Sequence, residues 1–387
     1  MNVQAWKLTR PSRPATGPEN AWGSKHPSET ALLLACARTG IDTGSAERIQ
    51  GLVRRPLNWE WLAGAAEDQG VFPLLYRSIK RSAPEAIPSA SLAVWQARFY
   101  SNAARNLYLA HELSQLLSLF EKDGICALPY KGPLLATTVY GNLALRKAGD
   151  LDLLVHRRNF RRTKELLFSQ GYQTQMALTW KDHLVHPTDG LNIDLHKEIA
   201  PRRYKPQVSF DDLWHRHIMI NIDGNNLPTF CLEDLLIALC LDIVRDTGEA
   251  TYLRLFKLCD VAEVVRSYNA ANWELLLQKV KQIGARRALF VGLRAADDLL
   301  GISMPTDIRD LVFSDTAVET IARHTAAMVR DGPPTEKRFP HQTRIILKVR
   351  ERARDKALAM LLTIGEAFSR TTRNVRAQLT YTPNPRQ

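Results

Sequence analysis

The sequence predicts an α+β protein in which a small mixed β-sheet core is flanked by N-terminal and C-terminal helical regions. Residues 28–120 repeat apolar side chains at helical spacing, and this pattern changes after Gly124. Short apolar or alternating runs such as "ICALPYKG", "GDLDLLV" and "LNIDLH" then indicate strands, with two helix-length segments between them. From Leu232 to about Leu300 the helical spacing returns. The order helical, mixed, helical is the basis of the predicted fold class.

The chain divides into five segments by composition and period. We predict a flexible leader at 1–27, an N-terminal helical region at 28–124, an α/β core at 125–231, a C-terminal helical domain at 232–330, and a Pro-rich linker with a basic amphipathic tail at 331–387. The leader contains prolines and basic residues but no apolar stretch, so it differs from a signal peptide.

The net charge of +12 is concentrated in the tail. Residues 337–387 hold twelve Lys or Arg against three acidic residues, a net of +9, so a basic surface that would indicate a nucleic-acid partner is not predicted for the rest. Residues 342–370 predict an amphipathic helix that can pack on its own protein, lie on an anionic membrane or bind nucleic acid. Packing on the helical domain is the preferred interpretation, and membrane contact is second.

Cellular location is predicted from what the sequence does not contain. No apolar stretch approaches the roughly 20 residues that a membrane helix needs, so no transmembrane segment is predicted. The five cysteines are widely spaced and form no CxxC pair, which disfavours both disulfides and a structural zinc site. We therefore predict a cytoplasmic protein.

Two strand-like segments place carboxylates side by side. In "GDLDLLV" the two-residue period of a strand puts Asp150 and Asp152 on one face, and in "LNIDLH" it separates Asp194 from the apolar residues around it. If the strands are neighbours, the three carboxylates form one site. Their mutual repulsion is relieved by a divalent cation, and Mg²⁺ is the hard ion that prefers such oxygen ligands.

A candidate anion site precedes the carboxylates. In "YKGPLLATTVYG" a strand ends, Gly132 allows a tight turn, and Pro133 suits the first position of a helix. The free amides of that helix and the charge of Lys131 favour a phosphate group. Arg146 stands four residues before Asp150 and is placed to contact the same phosphates.

Three histidines near these motifs have weaker interpretations. His183 and His186 have the spacing of a metal-ligand pair, but in the segment after "TW" we interpret them as surface residues of a hairpin loop. His196 follows Asp194 at the next position on the same strand face. It can orient Asp194, contact a phosphate or serve only as a structural histidine.

The segment "LPYKGPLLATTVYGNLALRKAGDLDLLV" followed by "LNIDLHKE" resembles the polymerase-β-like nucleotidyltransferase superfamily. Within it, the pattern K-G…Y…R…D-h-D-h-h-V is similar to that of a largely uncharacterised bacterial nucleotidyltransferase family. The likeness covers roughly residues 28–300. The broader superfamily has Ser where this chain has Pro133, so the phosphate contacts would fall to Lys131 and Arg146.

The resemblance implies transfer of a nucleoside monophosphate from an NTP, with ATP as the expected one, to an acceptor hydroxyl of a small molecule, saccharide or protein. Pyrophosphate would be released. The implied catalytic and metal-binding residues are Asp150, Asp152 and Asp194, which would hold two Mg²⁺ ions or, alternatively, Mn²⁺. The implied nucleotide-binding residues are Lys131, Gly132 and Arg146.

Two other classes of function compete with this interpretation. The first is an inactive nucleotide-binding or scaffold protein of the same fold, and the second is a nucleic-acid-binding protein that acts through its basic tail. The aspartate triad argues against the first, because three like charges on one face are costly without a use for them. The second depends on charge alone.

Overall fold

The computed structural model describes residues 25–204, 206, 208–267, 273–332 and 338–365. Its helices, in chain order, are α1 (Pro27–Cys36), α2 (Thr43–Val53), α3 (Trp59–Asp68), α4 (Phe72–Ser82), α5 (Ser89–Lys122), α6 (Gly132–Thr138), α7 (Phe160–Ser169), α8 (Phe210–His215), α9 (Leu232–Gly248), α10 (Leu255–Ser267), α11 (Trp273–Ile283), α12 (Arg286–Leu300), α13 (Thr306–Ser314), α14 (Thr316–Asp331), α15 (Arg338–Val349) and α16 (353–365). Its strands are β1 (Ala127–Pro129), β2 (Leu151–Val155), β3 (Gln173–Ala177), β4 (Lys181–Val185), β5 (Asn192–His196), β6 (Ile218–Ile222) and β7 (Asn225–Thr229). The predicted α+β class is confirmed.

The first five strands form one mixed sheet in the order β1-β2-β5-β4-β3. β2 and β5 are parallel, and the other neighbours are antiparallel. Along β2 and β5 the side chains alternate between the two faces of the sheet. Leu153 and Leu195 are fully buried in the core on one face, whereas Asp152 and Asp194 project from the other. Strands β6 and β7 form a separate antiparallel ribbon.

Strand β4 was not predicted, and the interpretation of His183 as a loop residue is wrong, although β3 and β4 do form an antiparallel hairpin and His186 lies after β4. Lys181–Val185 lies between β5 and β3 in the sheet. Its alternation of side chains is weak because Asp182 stands on the apolar face, where it is paired with Lys164. Lys181 and His183 point to the other face, beside Asp194. A strand that is polar on both faces lacks the hydrophobic signal by which strands are recognised.

Helix α9 is the centre of the helical region and faces the sheet. Nearly all of its residues are buried, and it packs against α10, α12 and α15. Gly292 on α12 lies directly against Cys240 on α9, and a side chain at this glycine would collide with the Cys240 thiol. This close helix contact fixes α9, which carries several of the charged residues described below. None of the helices in the described part of the chain is long and apolar enough to cross a membrane.

The tail differs from the single helix predicted for residues 342–370. Helix α15 ends at Val349, a second helix covers 353–365, and residues from 366 onward lie outside the described residues. At the break, the Arg350 guanidinium donates to the carbonyl of Arg203 at 3.0 Å. Ile345, Ile346 and Val349 on α15 are buried, whereas Leu361 on α16 is 68% exposed. The tail therefore packs on the protein along α15, whereas α16 buries Ala359 but leaves Met360 and Leu361 exposed.

This difference predicts unequal effects of two tail substitutions. Ile346→Ala should lower the free energy of unfolding by ~2–4 kcal/mol, because Ile346 is 1% exposed and leaves a cavity. Leu361→Ala, the matched control, should change it by less than ~0.5 kcal/mol. Urea unfolding of the two variants measures both values. Equal effects would contradict the packing described here.

Candidate active site

The two strand motifs meet at one cleft. In the register of the parallel pair β2 and β5, Asp152 lies opposite Asp194, so both carboxylates emerge from the same face. Asp150 directly precedes β2 and lines the same cleft. The structure therefore brings the three predicted aspartates together.

A group of three side chains in this cleft could hold a metal ion. Asp152, Asp194 and His196 are all buried and offer ligand atoms that lie within 4.8 Å of one another, whereas Asp150 is outside this close group. His196 Nε2 lies 3.1 Å from Asp152 Oδ1, so His196 contacts Asp152 rather than Asp194. Two carboxylates with an imidazole form a donor set that fits a divalent cation.

The charges of the cleft are unevenly balanced. Burial, together with the carboxylates of Asp152 and Asp194, raises the pKa of Asp150 to about 6. Burial alone would also raise the pKa of Asp152, but Lys131 and a hydrogen bond from His196 hold it well below its usual range. The negative charge of an ionised Asp150 is therefore not fully compensated by the lysines around it. Such uncompensated negative charge favours cation binding.

Lys131 and Gly132 border the carboxylates. The Lys131 ammonium is 3.6 Å from Asp152 Oδ1 and also contacts Asp242 of α9. Gly132 has a φ of 59°, and a Cβ there would lie 3.3 Å from the carbonyl oxygen of Asp150. Only glycine adopts this turn without strain. The turn thereby brings Lys131 next to the aspartates.

Arg146 lines the cleft but is held by another residue. Its Nε and Nη2 each donate to the Asp260 carboxylate at 2.8 Å, and the pair is buried. Burial would lower the pKa of Arg146, but Asp260 raises it above its ordinary value. Tyr140 also donates its hydroxyl to Asp260, at 2.7 Å. The observed contacts of Arg146 are those of a residue that ties the sheet to α10.

The opposite wall of the cleft is a charged network on α9 and α10. Arg245 donates to Asp242 at 2.6 Å and to Asp246 at 2.8 Å, and Lys257 contacts Asp246. Together with Lys131, this network connects the sheet carboxylates to the helical region. The enclosed cleft has a volume of about 200 Å³, below the ~300–1,000 Å³ of typical ligand pockets. As it stands, it accommodates phosphates and ions more readily than a whole nucleotide.

Several charged residues of the cleft were missed by the sequence analysis. Asp242 and Arg245 belong to a helix whose charged residues resemble ordinary surface pairs in the sequence. His183 Nδ1 lies 2.8 Å from Asp194 Oδ1. His186 instead pairs with Asp189 and does not line the cleft. The sequence signal that would place His183 beside Asp194 is its two-residue alternation with Lys181, which becomes informative once β4 is known to be a strand.

The mixed sheet presents an alternating aspartate pair and a third aspartate of a parallel neighbour to one cleft, which is the arrangement expected from the resemblance seen in the sequence. Residues 55–301 match the model of a family described as "uncharacterised nucleotidyltransferase". Because this match spans more than half of the chain, the chain belongs to that family. The family resemblance seen in the sequence is thereby confirmed.

Comparison with other proteins adds little beyond the family. The solution structure of the antibiotic-resistance factor ANT(2'')-Ia is 14% identical, covers 46% of this chain and 92% of its own, and has a TM-score of 0.33. An antigenic nucleotidyltransferase-like protein from Paracoccidioides brasiliensis is 15% identical, with coverages of 49% and 93% and a TM-score of 0.29. These scores are too low to carry an argument about the site. No curated protein matches the chain.

Proposed function

We propose that the protein transfers a nucleoside monophosphate from an NTP to an acceptor hydroxyl and releases pyrophosphate. The observation that supports this most strongly is the register of β2 and β5, which places Asp152 opposite Asp194 in a cleft that Asp150 also lines. Family membership supports the same class of reaction. The acceptor is proposed only as a class: a small molecule, a saccharide or a protein with a free hydroxyl.

We propose two Mg²⁺ ions as the cofactor, with Mn²⁺ as an alternative, held by Asp150, Asp152 and Asp194. Bound there, divalent ions supply charge stabilisation to the attacking and leaving oxygens of an in-line displacement. His196 keeps Asp152 in position through the contact with its Oδ1, and His183 does the same for Asp194. Burial lowers the pKa of His196, so its ring is neutral at pH 7 and donates from Nε2 to the carboxylate.

For the nucleotide, we propose that Lys131 and the turn at Gly132 bind the triphosphate. Lys131 is the cation nearest to Asp152, and the turn holds it there. Phosphate contact by Arg146 stays a prediction, and its pair with Asp260 favours a role in fixing the wall of the cleft. ATP is the proposed NTP.

Two predictions from the sequence extend beyond this site. Contact of residues 337–387 with a membrane or with nucleic acid stays a prediction, because much of this segment lies outside the described residues. A cytoplasmic location is likewise a prediction from the sequence.

The acceptor can be found by following the nucleotide. The purified full chain is incubated in cell lysate with each of the four α-³²P-labelled NTPs and Mg²⁺ or Mn²⁺, and the label is traced to protein, nucleic-acid and small-molecule fractions. We expect label in one fraction with the wild-type chain and none with Asp194→Asn. Equal labelling by both proteins would refute the proposed function.

Loss of the Lys131 ammonium should weaken nucleotide binding. Lys131→Ala is expected to raise the Kd for Mg–NTP by about tenfold or more, because a charge-assisted contact to phosphate contributes ~1.5–3 kcal/mol. Lys147→Ala is the matched control, since Lys147 lines the same cleft but pairs with Glu67 at 2.7 Å. Calorimetric titration gives both values. An unchanged Kd in Lys131→Ala would place the triphosphate elsewhere.

A further inference from the structure

Lys181 forms an ion pair with Asp194, the third carboxylate of the cleft. It is the first residue of β4 and lies opposite His196 in the register with β5, so it shares the face of Asp194. Its ammonium group contacts Asp194 Oδ2, and its side chain is only 17% exposed. Burial would raise the pKa of Asp194, but Lys181 lowers it below its ordinary value. Lys181 is therefore the main counter-charge of this aspartate.

The same carboxylate is needed by a metal ion. Ligand atoms of Asp194, Asp152 and His196 lie within 4.8 Å of one another, which makes Asp194 part of the group that fits a divalent cation. A cation bound to Asp194 and the Lys181 ammonium would compete for this side chain, because like charges repel at such short range. The four-carbon stem of lysine allows the ammonium to move while its backbone stays in the sheet.

Lys181 also faces Asp150 and Asp152, but in the proposed function both of these carboxylates are occupied by the cations. Asp182, its neighbour in sequence, projects from the opposite face and is paired with Lys164 at 2.7 Å. His183 already contacts the remaining oxygen of Asp194. The anion that enters this face of the sheet together with the cation is the nucleotide triphosphate. A phosphate oxygen is therefore the partner that the geometry offers to the released ammonium.

We propose that Lys181 is a displaceable counter-charge: it neutralises Asp194 in the metal-free protein, yields this carboxylate to the cation and then binds a phosphate oxygen of the nucleotide. This inference rests on the proposed function, and it assigns Lys181 a place in that reaction that the sequence did not indicate. It also gives the site a reason to bind cation and nucleotide together. The cation neutralises carboxylates that repel the triphosphate, and the triphosphate binds the Lys181 ammonium that repels the cation.

The test is calorimetric titration of Mn²⁺ into the full chain without nucleotide. Lys181→Met removes the competing charge at similar side-chain length, and we expect it to bind Mn²⁺ roughly tenfold more tightly than the wild type. With Mn²⁺ held at saturation for both proteins, the same variant should bind the NTP roughly tenfold more weakly than the wild type, because a phosphate contact is lost. Lys181→Arg retains the charge and should keep the wild-type Mn²⁺ affinity.

Lys164→Met is the matched control, since it removes a lysine paired with an aspartate on the opposite face of the same strand. It should change neither affinity. Unchanged or weaker Mn²⁺ binding in Lys181→Met would overturn the inference, as would unaltered nucleotide affinity. If the wild type transfers nucleotide but Lys181→Met gives either of these results, only the role of Lys181 fails. If the wild type binds no divalent cation at all, the proposed function fails with it.

Discussion

Replacing either aspartate of the β2 motif with asparagine should abolish nucleotidyl transfer while changing stability in opposite directions. We expect the rate to fall by roughly a thousandfold or more in Asp150→Asn and in Asp152→Asn, because each loses a carboxylate that we propose as a ligand of the ions. Pyrophosphate release in the presence of Mg²⁺ measures this loss. Activity close to that of the wild type in either variant would contradict the assignment of the metal ligands.

The stability effects follow from the two pKa shifts. The pKa of Asp150 is raised to about 6 by burial and by its acidic neighbours, so at pH 7 its charge opposes folding and Asp150→Asn should stabilise the metal-free protein. The pKa of Asp152 is lowered because Lys131 and His196 favour its ionised form against the effect of burial. Asp152→Asn should therefore destabilise the protein. Urea unfolding at pH 7 without metal compares the two, and shifts of the same sign would disprove this charge distribution.

Breaking the Arg146–Asp260 pair should produce one of the largest losses of stability in the molecule. Asp260→Ala leaves the buried Arg146 guanidinium without its counter-charge and removes the acceptor of the Tyr140 hydroxyl. Removal of one partner of such a pair costs about 3–5 kcal/mol. The midpoint of urea unfolding, followed by circular dichroism, measures the loss.

A second ion pair of the same length provides the control. Arg294 and Asp298 on α12 are also 2.8 Å apart, but they are partly exposed, so Asp298→Ala should cost less than ~1 kcal/mol. The double replacement Arg146→Met with Asp260→Leu should recover much of the loss, since no unpaired charge remains buried. A small effect of Asp260→Ala would mean that Arg146 finds another partner and would revive direct phosphate contact as its role.

Local patterns were sufficient to predict which aspartates share the cleft. The two-residue period of a strand placed Asp150 and Asp152 together, and the same period separated Asp194 from its apolar neighbours. Whether β2 and β5 are adjacent depends on the whole sheet, and the structure shows that they are parallel neighbours in matching register. The turn at Gly132 was also predictable from the sequence, because only a glycine suits a positive φ at a crowded position.

The other half of the cleft could not be predicted, because its contacts join distant segments. Asp242 reaches Lys131 across 111 residues, and Asp260 reaches Arg146 across 114. The sequence around an aspartate on a helix does not indicate which distant residue will become its partner in the folded protein. Lys181 escaped notice for a different reason, since a strand with polar residues on both faces has no hydrophobic alternation.

In the proposed reaction, the acceptor hydroxyl attacks the α-phosphorus of an NTP, and the nucleoside monophosphate is transferred to the acceptor. In the most direct measurement, the protein and the acceptor fraction identified in lysate are incubated with Mg²⁺ and with NTP that is labelled at either the α or the γ phosphate. We expect that the acceptor gains the α label and that the γ label leaves as pyrophosphate, and that neither occurs with Asp152→Asn. Entry of the γ label into the acceptor, or transfer that persists in Asp152→Asn, would contradict the proposed reaction.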